Sequence, residues 1–351
     1  MGPRVLLIKL GALGDVVRTG ALVPGLARLF AEPPHVTWVT APAALELVER
    51  MPGVDRALPY DAPTHDRLRV EKFDAVICLD KEPGPCALAM TVPAEARMGI
   101  GLSRYGTPYP LSEGMAYYFR LGLDDEEKFF GNRKSYAHLI YEGLGLDYRG
   151  EASRIELHEA EGDAARKRLS ALGASQVRRW VGLNPGAGRN FAYKAWREEG
   201  YVNLVKAVAG RRPDVGFLLL GGAAEAGLLA RLSRALRGLP VWSGGTENTL
   251  LEFTALIDGC DLIICGDTLA LHLAIARGRR VVALFGPTCE QEIDVFGLGV
   301  KIKSPIECSP CYRRACDKSP TCQDLITDAA VVEAALEQLE AIEAVPAARS
   351  S

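Results

Sequence analysis

The sequence has no long uninterrupted hydrophobic run, although 48% of its 351 residues are hydrophobic. The apolar stretch 5–10 is cut short by Gly11, Gly14 and Asp15. A membrane-spanning helix needs about 20 apolar residues, and the apolar part of a signal peptide needs about 7–15. We therefore expect a cytoplasmic protein, and a peripheral contact with the cytoplasmic face of the inner membrane stays open.

The sequence also lacks an excess of either charge. Its 41 Lys and Arg residues stand against 44 Asp and Glu residues, which gives a formal net charge of −3. General nucleic-acid binders carry a clustered basic surplus, so nucleic acid is not an expected partner. A chain of this length and hydrophobic fraction can form two domains with full cores.

A strand–helix alternation runs through the first half of the chain and starts again in the second half. Strands are predicted at 4–9, 35–40 and 74–79, and again at 180–183, 215–220 and 240–242. Two successive series imply two Rossmann-like domains of the α/β class. We place them at 1–172 and 173–327, followed by a C-terminal helix and tail at 328–351. Because ligands bind outside the carboxyl ends of such strands, we expect the site in a cleft between the domains.

The most informative segment, 261–287, has the pattern of a buried strand, a turn, a helix and a second buried strand. Gly266, Asp267 and Thr268 fall where the first strand ends and the helix begins. Unpaired backbone N–H groups and the positive end of a helix dipole meet at such a point. The expected occupant is a phosphate-bearing ligand. His272 lies on the same helix, and such an isolated histidine is more often structural than catalytic.

The first strand–helix turn, 9–15, contains two glycines and a carboxylate. Gly11 and Gly14 allow a tight turn and a close approach of a ligand to the backbone. The spacing is not G-x-G-x-x-G, so the dinucleotide-binding fingerprint is absent. Asp15 stands at a helix start, where it is either an N-cap or a catalytic carboxylate.

Two later turns carry further candidates for ligand binding. The loop 184–196 contains Arg189 and Lys194, and it either lies over phosphates or is an ordinary solvated loop. Glu225 follows Gly221 and Gly222 after the strand 215–220. Its carboxylate either accepts hydrogen bonds from ribose hydroxyls or pairs with the helix dipole.

Four of the nine cysteines crowd together near the end of the chain, at Cys308, Cys311, Cys316 and Cys322. In a cytosolic chain, four thiolates this close suit a tetrahedral zinc or iron site better than disulfides. Reduced or disulfide-paired cysteines are the alternative. A metal held by four protein ligands is structural, because no coordination position stays open.

Together these motifs resemble glycosyltransferase family 9, the ADP-heptose:lipopolysaccharide heptosyltransferases and their relatives. The resemblance lies in the stretches 8–17, 184–187 with 194–196, 220–225, 266–272 and 284–288. Many members of that family also carry a late cysteine cluster. The resemblance implies a GT-B fold, with the acceptor site in the first domain and the nucleotide-sugar site in the second. It also implies an inverting transfer that requires no metal or other cofactor.

The resemblance further implies roles for single residues. Asp15 is the expected general base, which removes the acceptor hydroxyl proton as that oxygen attacks the anomeric carbon opposite the diphosphate. Lys194 and the backbone N–H groups around Asp267 and Thr268 are expected to stabilise the departing diphosphate. Glu225 is expected to hold the adenosine ribose. Asp267 and His272 are expected to contact the heptose or the diphosphate.

One residue departs from the family pattern. The family usually has glycine after Gly-Asp-Thr, whereas this chain has Leu269, whose side chain adds bulk beside the donor sugar. The prediction is transfer of a heptose or a related sugar from an ADP-sugar to a lipopolysaccharide-core-like or other surface glycan. The alternatives are another nucleotide sugar, a protein acceptor, or a non-catalytic nucleotide-sugar-binding protein, and Asp15 argues against the last.

Overall fold

The computed structural model describes residues 2–172, 174, 176–188 and 192–344. The chain divides into two compact units, Met1–Glu156 with Gln291–Asp294, and Leu157–Glu290 with Val295–Ser351. Each unit contains one six-stranded sheet that is flanked by helices. This confirms the prediction of an α/β protein with two Rossmann-like domains.

The sheet of the first unit has the order β3-β2-β1-β4-β5-β6. All neighbouring strands are parallel except β5 and β6. The central strand β1 is apolar after Arg4 and is buried from Val5 to Ile8, as a strand covered on both faces requires. The strands are β1 Arg4–Ile8, β2 His35–Thr40, β3 Arg56–Pro59, β4 Phe73–Cys78, β5 Ala94–Leu102 and β6 Pro108–Pro110.

The α-helices in the described part of this unit are α1 Leu13–Thr19, α2 Val23–Leu26, α3 Leu45–Val48, α4 Ala62–Leu68, α5 Pro83–Thr91, α6 Glu113–Arg120 and α7 Tyr136–Gly143. The apolar residues of 16–30 have helical spacing, but the chain does not form one regular helix there. The chain instead alternates short α and 3₁₀ segments there, and Pro24 stands at the start of α2. Proline has no backbone N–H to give to the preceding turn, so a regular helix cannot continue through it.

The sheet of the second unit is parallel throughout and has the order β12-β11-β10-β7-β8-β9. Its strands are β7 Arg179–Asn184, β8 Val215–Leu219, β9 Val241–Ser243, β10 Leu262–Gly266, β11 Arg280–Phe285 and β12 Gly299–Lys303. Its helices are α8 Glu159–Ala171, α9 Glu198–Arg211, α10 Ala226–Ala235, α11 Leu250–Asp258, α12 Leu269–Ala276 and α13 Asp328–Ala344.

Helix α8 belongs to the second unit, although the sequence analysis assigned residues 159–172 to the first domain. Its Arg168 donates from Nη2 to the carbonyl oxygen of Gly244 at 2.6 Å and from Nη1 to Asn248 at 2.7 Å. These bonds hold α8 to the second unit, so the boundary after Glu156 differs from the one expected after residue 172. Helix α13 adds Val331 and Leu339 to the core of this unit, and the tail 345–351 lies outside the described residues.

In both sheets the chain adds strands on one side of the first strand and then continues on its other side. We call this place the reversal point, and it is where a ligand site is expected. In the first unit the chain adds β2 and β3 on one side of β1 and then places β4 on the other side. In the second unit β7 and β10 flank the equivalent point. Ligands of open α/β sheets bind outside the carboxyl ends of these two strands. No helix within the described ranges is long and apolar enough to cross a membrane.

Candidate functional site

The turns after β7, β8 and β10 are joined by hydrogen bonds at the reversal point of the second sheet. Asn184, the last residue of β7, donates from its side-chain amide to the carbonyl oxygen of Leu220 at 3.0 Å. Its side-chain oxygen accepts a hydrogen bond from Thr268 Oγ1 at 3.1 Å. Thr268 occupies the N-cap position of α12 but makes no side-chain cap bond to that helix. The Thr268 hydroxyl therefore links the turn after β10 to the turn after β7. The prediction that Gly266, Asp267 and Thr268 lie at a strand–helix junction is confirmed.

Asp267 lies between a lysine and a histidine. Lys194 Nζ donates to Asp267 Oδ2 at 2.9 Å and to the Asp267 carbonyl oxygen at 3.2 Å. His272 Nε2 lies 3.7 Å from Asp267 Oδ1, so the helix brings together two residues whose spacing alone did not predict contact. Burial opposes ionisation of the Asp267 carboxyl, but His272 and Lys194 hold its pKa well below the usual range. Asp267 is therefore a permanent anion that orients the Lys194 ammonium.

Two glycines allow the loops of this site to come close to each other. A Cβ atom on Gly266 would stand 2.8 Å from the carbonyl oxygen of Lys194. A Cβ on Gly186 would stand 2.2 Å from Glu225 Cγ. Only glycine fits at such distances. Arg189, the other basic residue predicted for this loop, lies outside the described residues, and Leu269 is half-buried at the first position of α12.

Glu225 ends a short 3₁₀ turn directly before α10, and its Oε2 accepts a hydrogen bond from the Gly222 backbone N–H at 3.0 Å. This local bond favours the helix-start interpretation of Glu225. The second carboxylate oxygen has further acceptor capacity. Binding of a ribose by Glu225 therefore stays a prediction.

In the first unit, Asp15 lies in the first turn of α1. The N-cap position is Ala12, so the interpretation of Asp15 as an N-cap is wrong. Arg18 Nη2 lies 2.8 Å from Asp15 Oδ1, and 37% of the Asp15 side chain is exposed. Gly11 is exposed, and a Cβ there would stand 3.1 Å from Asp15 Cβ, while Gly14 is the second residue of α1. The carboxylate is thus accessible and is held in place by an arginine.

A buried ion pair lies beside this turn and was missed by the sequence analysis. Lys9 Nζ lies 2.6 Å from Asp80 Oδ1, and the other Asp80 oxygen accepts the Leu10 backbone N–H. Burial alone would lower the pKa of Lys9, but Tyr136, Tyr118 and the contacting Asp80 carboxylate hold it above its usual value. Asp80 lies just after the carboxyl end of β4, and Asp15 lies in the helix that follows β1. A charged residue directly after a predicted strand could therefore have indicated Asp80 as a site residue.

Lys81, the next residue, places its ammonium against Tyr118. Its Nζ donates to the Tyr118 carbonyl oxygen at 2.9 Å and lies 4.1 Å from the centre of the Tyr118 ring. Burial, with a smaller contribution from the neighbouring Lys128, lowers the pKa of Lys81 to about 8. The first unit therefore contains a partly desolvated lysine close to the carboxyl ends of its central strands.

Residues 65–321 match the family model "Glycosyltransferase family 9 (heptosyltransferase)". The chain belongs to glycosyltransferase family 9. The matched range contains Lys194, Glu225, Asp267 and His272 and begins after Asp15.

Two relatives of known function are similar over most of the chain. "Lipopolysaccharide core heptosyltransferase OpsX" of Haemophilus influenzae is 22% identical over 80% of this chain and 78% of its own length. "Lipopolysaccharide heptosyltransferase 1" of Pseudomonas aeruginosa is 25% identical over 92% of this chain and 89% of its own. The similarity therefore extends over most of this family 9 chain and over most of each relative.

Solved structures support the same fold. A family 9 glycosyltransferase from Veillonella parvula aligns with a TM-score of 0.75 at 18% identity, covering 97% of both chains. E. coli ADP-heptose lps heptosyltransferase II aligns at 0.71 and 20% identity, covering 97% of this chain and 99% of its own. E. coli heptosyltransferase WaaC with ADP aligns at 0.63 and 18% identity, covering 95% and 99%. The two Rossmann-like units thus form the GT-B class of fold.

The four late cysteines of this family 9 chain are half-buried free thiols, so the disulfide alternative is not realised. Burial, together with Cys311, Cys316 and Cys308, raises the pKa of Cys322 to about 11. The thiols are therefore close enough to affect one another. No group of three or more His, Cys, Asp or Glu residues in the described part of the chain has the arrangement of a metal site. The geometry thus gives no support to the prediction of zinc or iron at Cys308, Cys311, Cys316 and Cys322.

Proposed function

We propose that this family 9 protein is an inverting glycosyltransferase that transfers a heptose from an ADP-heptose donor to a lipopolysaccharide-core-type glycan. The observation that carries the proposal is the group of Lys194, Asp267 and His272 at the reversal point of the second sheet. The names of the two similar proteins support a lipopolysaccharide acceptor. The WaaC structure with ADP supports an ADP-type donor.

The donor half of the proposed reaction uses Lys194 and the start of α12. When the bond between the anomeric carbon and the diphosphate oxygen breaks, negative charge develops on the departing ADP. A fixed ammonium and oriented backbone N–H groups stabilise that charge without reorganisation. Asp267 keeps the Lys194 ammonium in place, and because Asp267 is held ionised it acts as an orienting group rather than as a proton donor.

The acceptor half uses Asp15. Its exposed carboxylate takes the proton of the attacking acceptor hydroxyl, while the bond from that oxygen to the anomeric carbon forms. The attack comes from the face opposite the diphosphate, so the configuration inverts. Arg18 contacts Asp15 Oδ1 and restricts the orientation of the carboxylate. In this scheme the hydroxyl proton passes to Asp15 and ADP leaves with the bonding electrons, so the step uses neither a metal ion nor another cofactor.

A replacement of Asp15 tests this assignment. Asp15→Asn keeps the shape of the side chain but removes the base, so we expect the transfer rate to fall by roughly 10²–10⁴-fold. ADP affinity, measured by calorimetry, should stay within about twofold, a difference of about 0.4 kcal/mol. Asp66→Asn is the matched control because Asp66 is a 78% exposed aspartate of the same unit. Full transfer activity in Asp15→Asn would refute the role of general base.

Leu269 favours one alternative, the same chemistry with a different nucleotide sugar. It is the first residue of α12 and lies next to the proposed diphosphate position. We therefore propose a panel of ADP-, GDP- and UDP-sugars, offered to the enzyme with glycan and protein acceptors, and product detection by mass spectrometry. Transfer only from a sugar other than heptose would favour the alternative, and tight binding without any transfer would favour a non-catalytic binding protein. A lipid-linked acceptor would imply contact with the cytoplasmic face of the membrane.

A further inference from the structure

Gln323 connects the cysteine segment, defined as residues 308–323, to the proposed donor site. It directly follows Cys322, and only 5% of it is exposed. Its Nε2 donates to the main-chain carbonyl oxygen of Lys194 at 3.0 Å. Because a carbonyl only accepts, the NH₂ end of the amide must point at Lys194. The residue that presents the ammonium to Asp267 is therefore held through its own backbone by Gln323.

The carbonyl of Lys194 is enclosed from two sides. A Cβ on Gly266 at the end of β10 would stand 2.8 Å from this oxygen. On the other side, a Cβ on Gly286 after β11 would stand 2.6 Å from Gln323 Nε2. The two glycines thus allow the strand ends, the Lys194 loop and the Gln323 amide to meet. A shift of Gln323 would change the position of Lys194 because neither side has spare room.

The cysteine segment is anchored at both of its ends on the turn after β11. Ser309 Oγ donates to the carbonyl oxygen of Gly286, and the backbone N–H groups of Cys311 and Tyr312 donate to Pro287 O at 3.0 and 2.8 Å. At the other end, the Cys322 sulfur would lie 2.7 Å from a Cβ on Gly286. Gln323 is thereby presented to Lys194 by a segment that is fixed independently of Lys194.

The side-chain oxygen of Gln323 is buried and has no hydrogen-bond partner within the described residues. Its amide NH₂ group donates to the Lys194 carbonyl. A buried amide oxygen without a hydrogen-bond partner lowers the stability of the folded protein. Stability alone therefore does not account for a glutamine at this position. A second hydrogen bond acts on the loop that contains Lys194. Trp196 Nε1 donates to the carbonyl oxygen of Ile326 at 3.0 Å, which connects this loop to the residues after the cysteine segment.

We propose that Gln323 is a positioning residue for donor binding, which fixes Lys194 for the diphosphate and makes the cysteine segment part of the donor site. The inference rests on the proposed function, because it assumes that Lys194 binds the donor. The class of ligand affected is a nucleoside diphosphate or its sugar ester. Gln323 acts through the Lys194 backbone, so the chemical step at the anomeric carbon does not involve it directly.

The experiment compares Gln323→Met with Gln338→Met. Methionine keeps the length of the side chain but removes the N–H donors. Gln338 is the matched control because it is buried in the same unit and accepts from Arg280 Nη1 at 2.6 Å, as part of α13. We expect Gln323→Met to weaken ADP binding by about tenfold in calorimetry, or about 1.4 kcal/mol. The donor KM should rise and kcat should fall, because Lys194 also stabilises the charge on the departing diphosphate, while the acceptor KM should change little.

A second readout does not depend on the donor. Competitive acetylation should modify Lys194 several-fold faster in Gln323→Met than in the unmodified sequence, with the exposed Lys206 as internal reference. Gln323→Asn, which is polar but too short to reach, replaces Gln323→Met if the latter does not fold. Unchanged labelling of Lys194, or equal losses of ADP affinity in both glutamine variants, overturns the proposal. If the unmodified protein binds no ADP and Lys194 labelling still rises, the positioning role stands and the proposed function fails.

Discussion

At the scale of single residues, the neighbours of each carboxylate determine which chemistry it can perform. Asp267 contacts Lys194 and His272, which hold its pKa well below the usual range, so it orients a cation and does not exchange a proton near neutral pH. Asp15 has one arginine in ion-pair contact and an exposed side chain. It is therefore the better candidate for taking a proton from a substrate, and the two aspartates have different roles in the proposed reaction.

Glu71 gives a prediction about stability at acid pH. Hydrogen bonds from Arg56 and Arg67 hold the pKa of this 16% exposed carboxyl at about 2, against an ordinary value of 4.5. Because the folded-state pKa is depressed, the stabilisation is fully present above pH 4.5 and is lost as the pH falls towards 2. Glu71→Gln should lower the free energy of unfolding by about 2 kcal/mol at pH 7 and by much less at pH 3.

Urea unfolding at pH 7, 4 and 3 measures this difference. Glu95→Gln is the control, because Glu95 pairs with Lys72 while 62% of its side chain is exposed, and exposed pairs contribute little. A loss in Glu71→Gln that stays constant across this pH range would show that the arginine contacts are not the source of the stabilisation.

Lys81 gives a prediction about stability at alkaline pH, where a buried charge costs stability instead of adding to it. Burial, with Lys128 and Lys9, lowers its pKa to about 8, while Glu292 and Glu82 act against this shift. The unfolded chain binds more protons than the folded one between pH 8 and the ordinary value of 10.5, so stability rises with pH in that window. Lys81→Met should be more stable than the unmodified protein at pH 7, by on the order of 1–2 kcal/mol.

This gain should shrink as the pH rises from 8 towards 10.5, because the unmodified protein then loses its buried charge. Thermal unfolding at pH 7, 9 and 10 measures it, with Lys72→Met at a 72% exposed lysine as the control. An unmodified protein that is more stable than Lys81→Met at every pH would contradict the assigned cost of burial.

At the scale of elements, the fully buried strands could be predicted, whereas most of the strands with half-buried or exposed residues could not. Strands β1 and β10 are apolar and buried along nearly their whole length, which gives a continuous signal in the sequence. The sequence did not predict β3, β5, β6 and β12, whose residues are mostly half-buried or exposed, although it did predict the similarly exposed β9. Such strands are specified by pairing with a neighbour, and a local hydrophobic pattern does not report that pairing.

The cysteine segment gives the prediction at this scale. If it holds a structural zinc or iron, the protein purified without chelators should contain about one metal ion per chain by elemental analysis. Cys308→Ser should then lose the metal and lower the Tm while kcat changes little. Cys289→Ser is the control, because Cys289 is a buried cysteine of the same unit outside the cluster. Metal contents far below one per chain would agree with the geometry and end the metal hypothesis.

At the scale of the whole molecule, the repeated alternation predicted two similar sheets, and both reverse at equivalent strands. The candidates Asp15, Lys194, Asp267 and His272 followed from motifs that are local in the sequence. The partners Asp80 and Gln323 did not, because they lie 71 and 129 residues from Lys9 and Lys194. A local pattern reports the element in which it lies, whereas these contacts depend on which strand ends the fold brings together.

The assignment of donor binding to the second unit predicts where ADP changes hydrogen exchange. At about 100 times its Kd, a ligand stabilises its binding state by about 2.7 kcal/mol. Exchange should therefore slow at the turns after β7, β8 and β10 and at the start of α12, where backbone N–H groups meet the diphosphate. The central strands β1 and β2 of the first unit should exchange as before. Lys194→Met should lose the protection, and protection centred on residues 9–15 instead would reverse the donor and acceptor assignments.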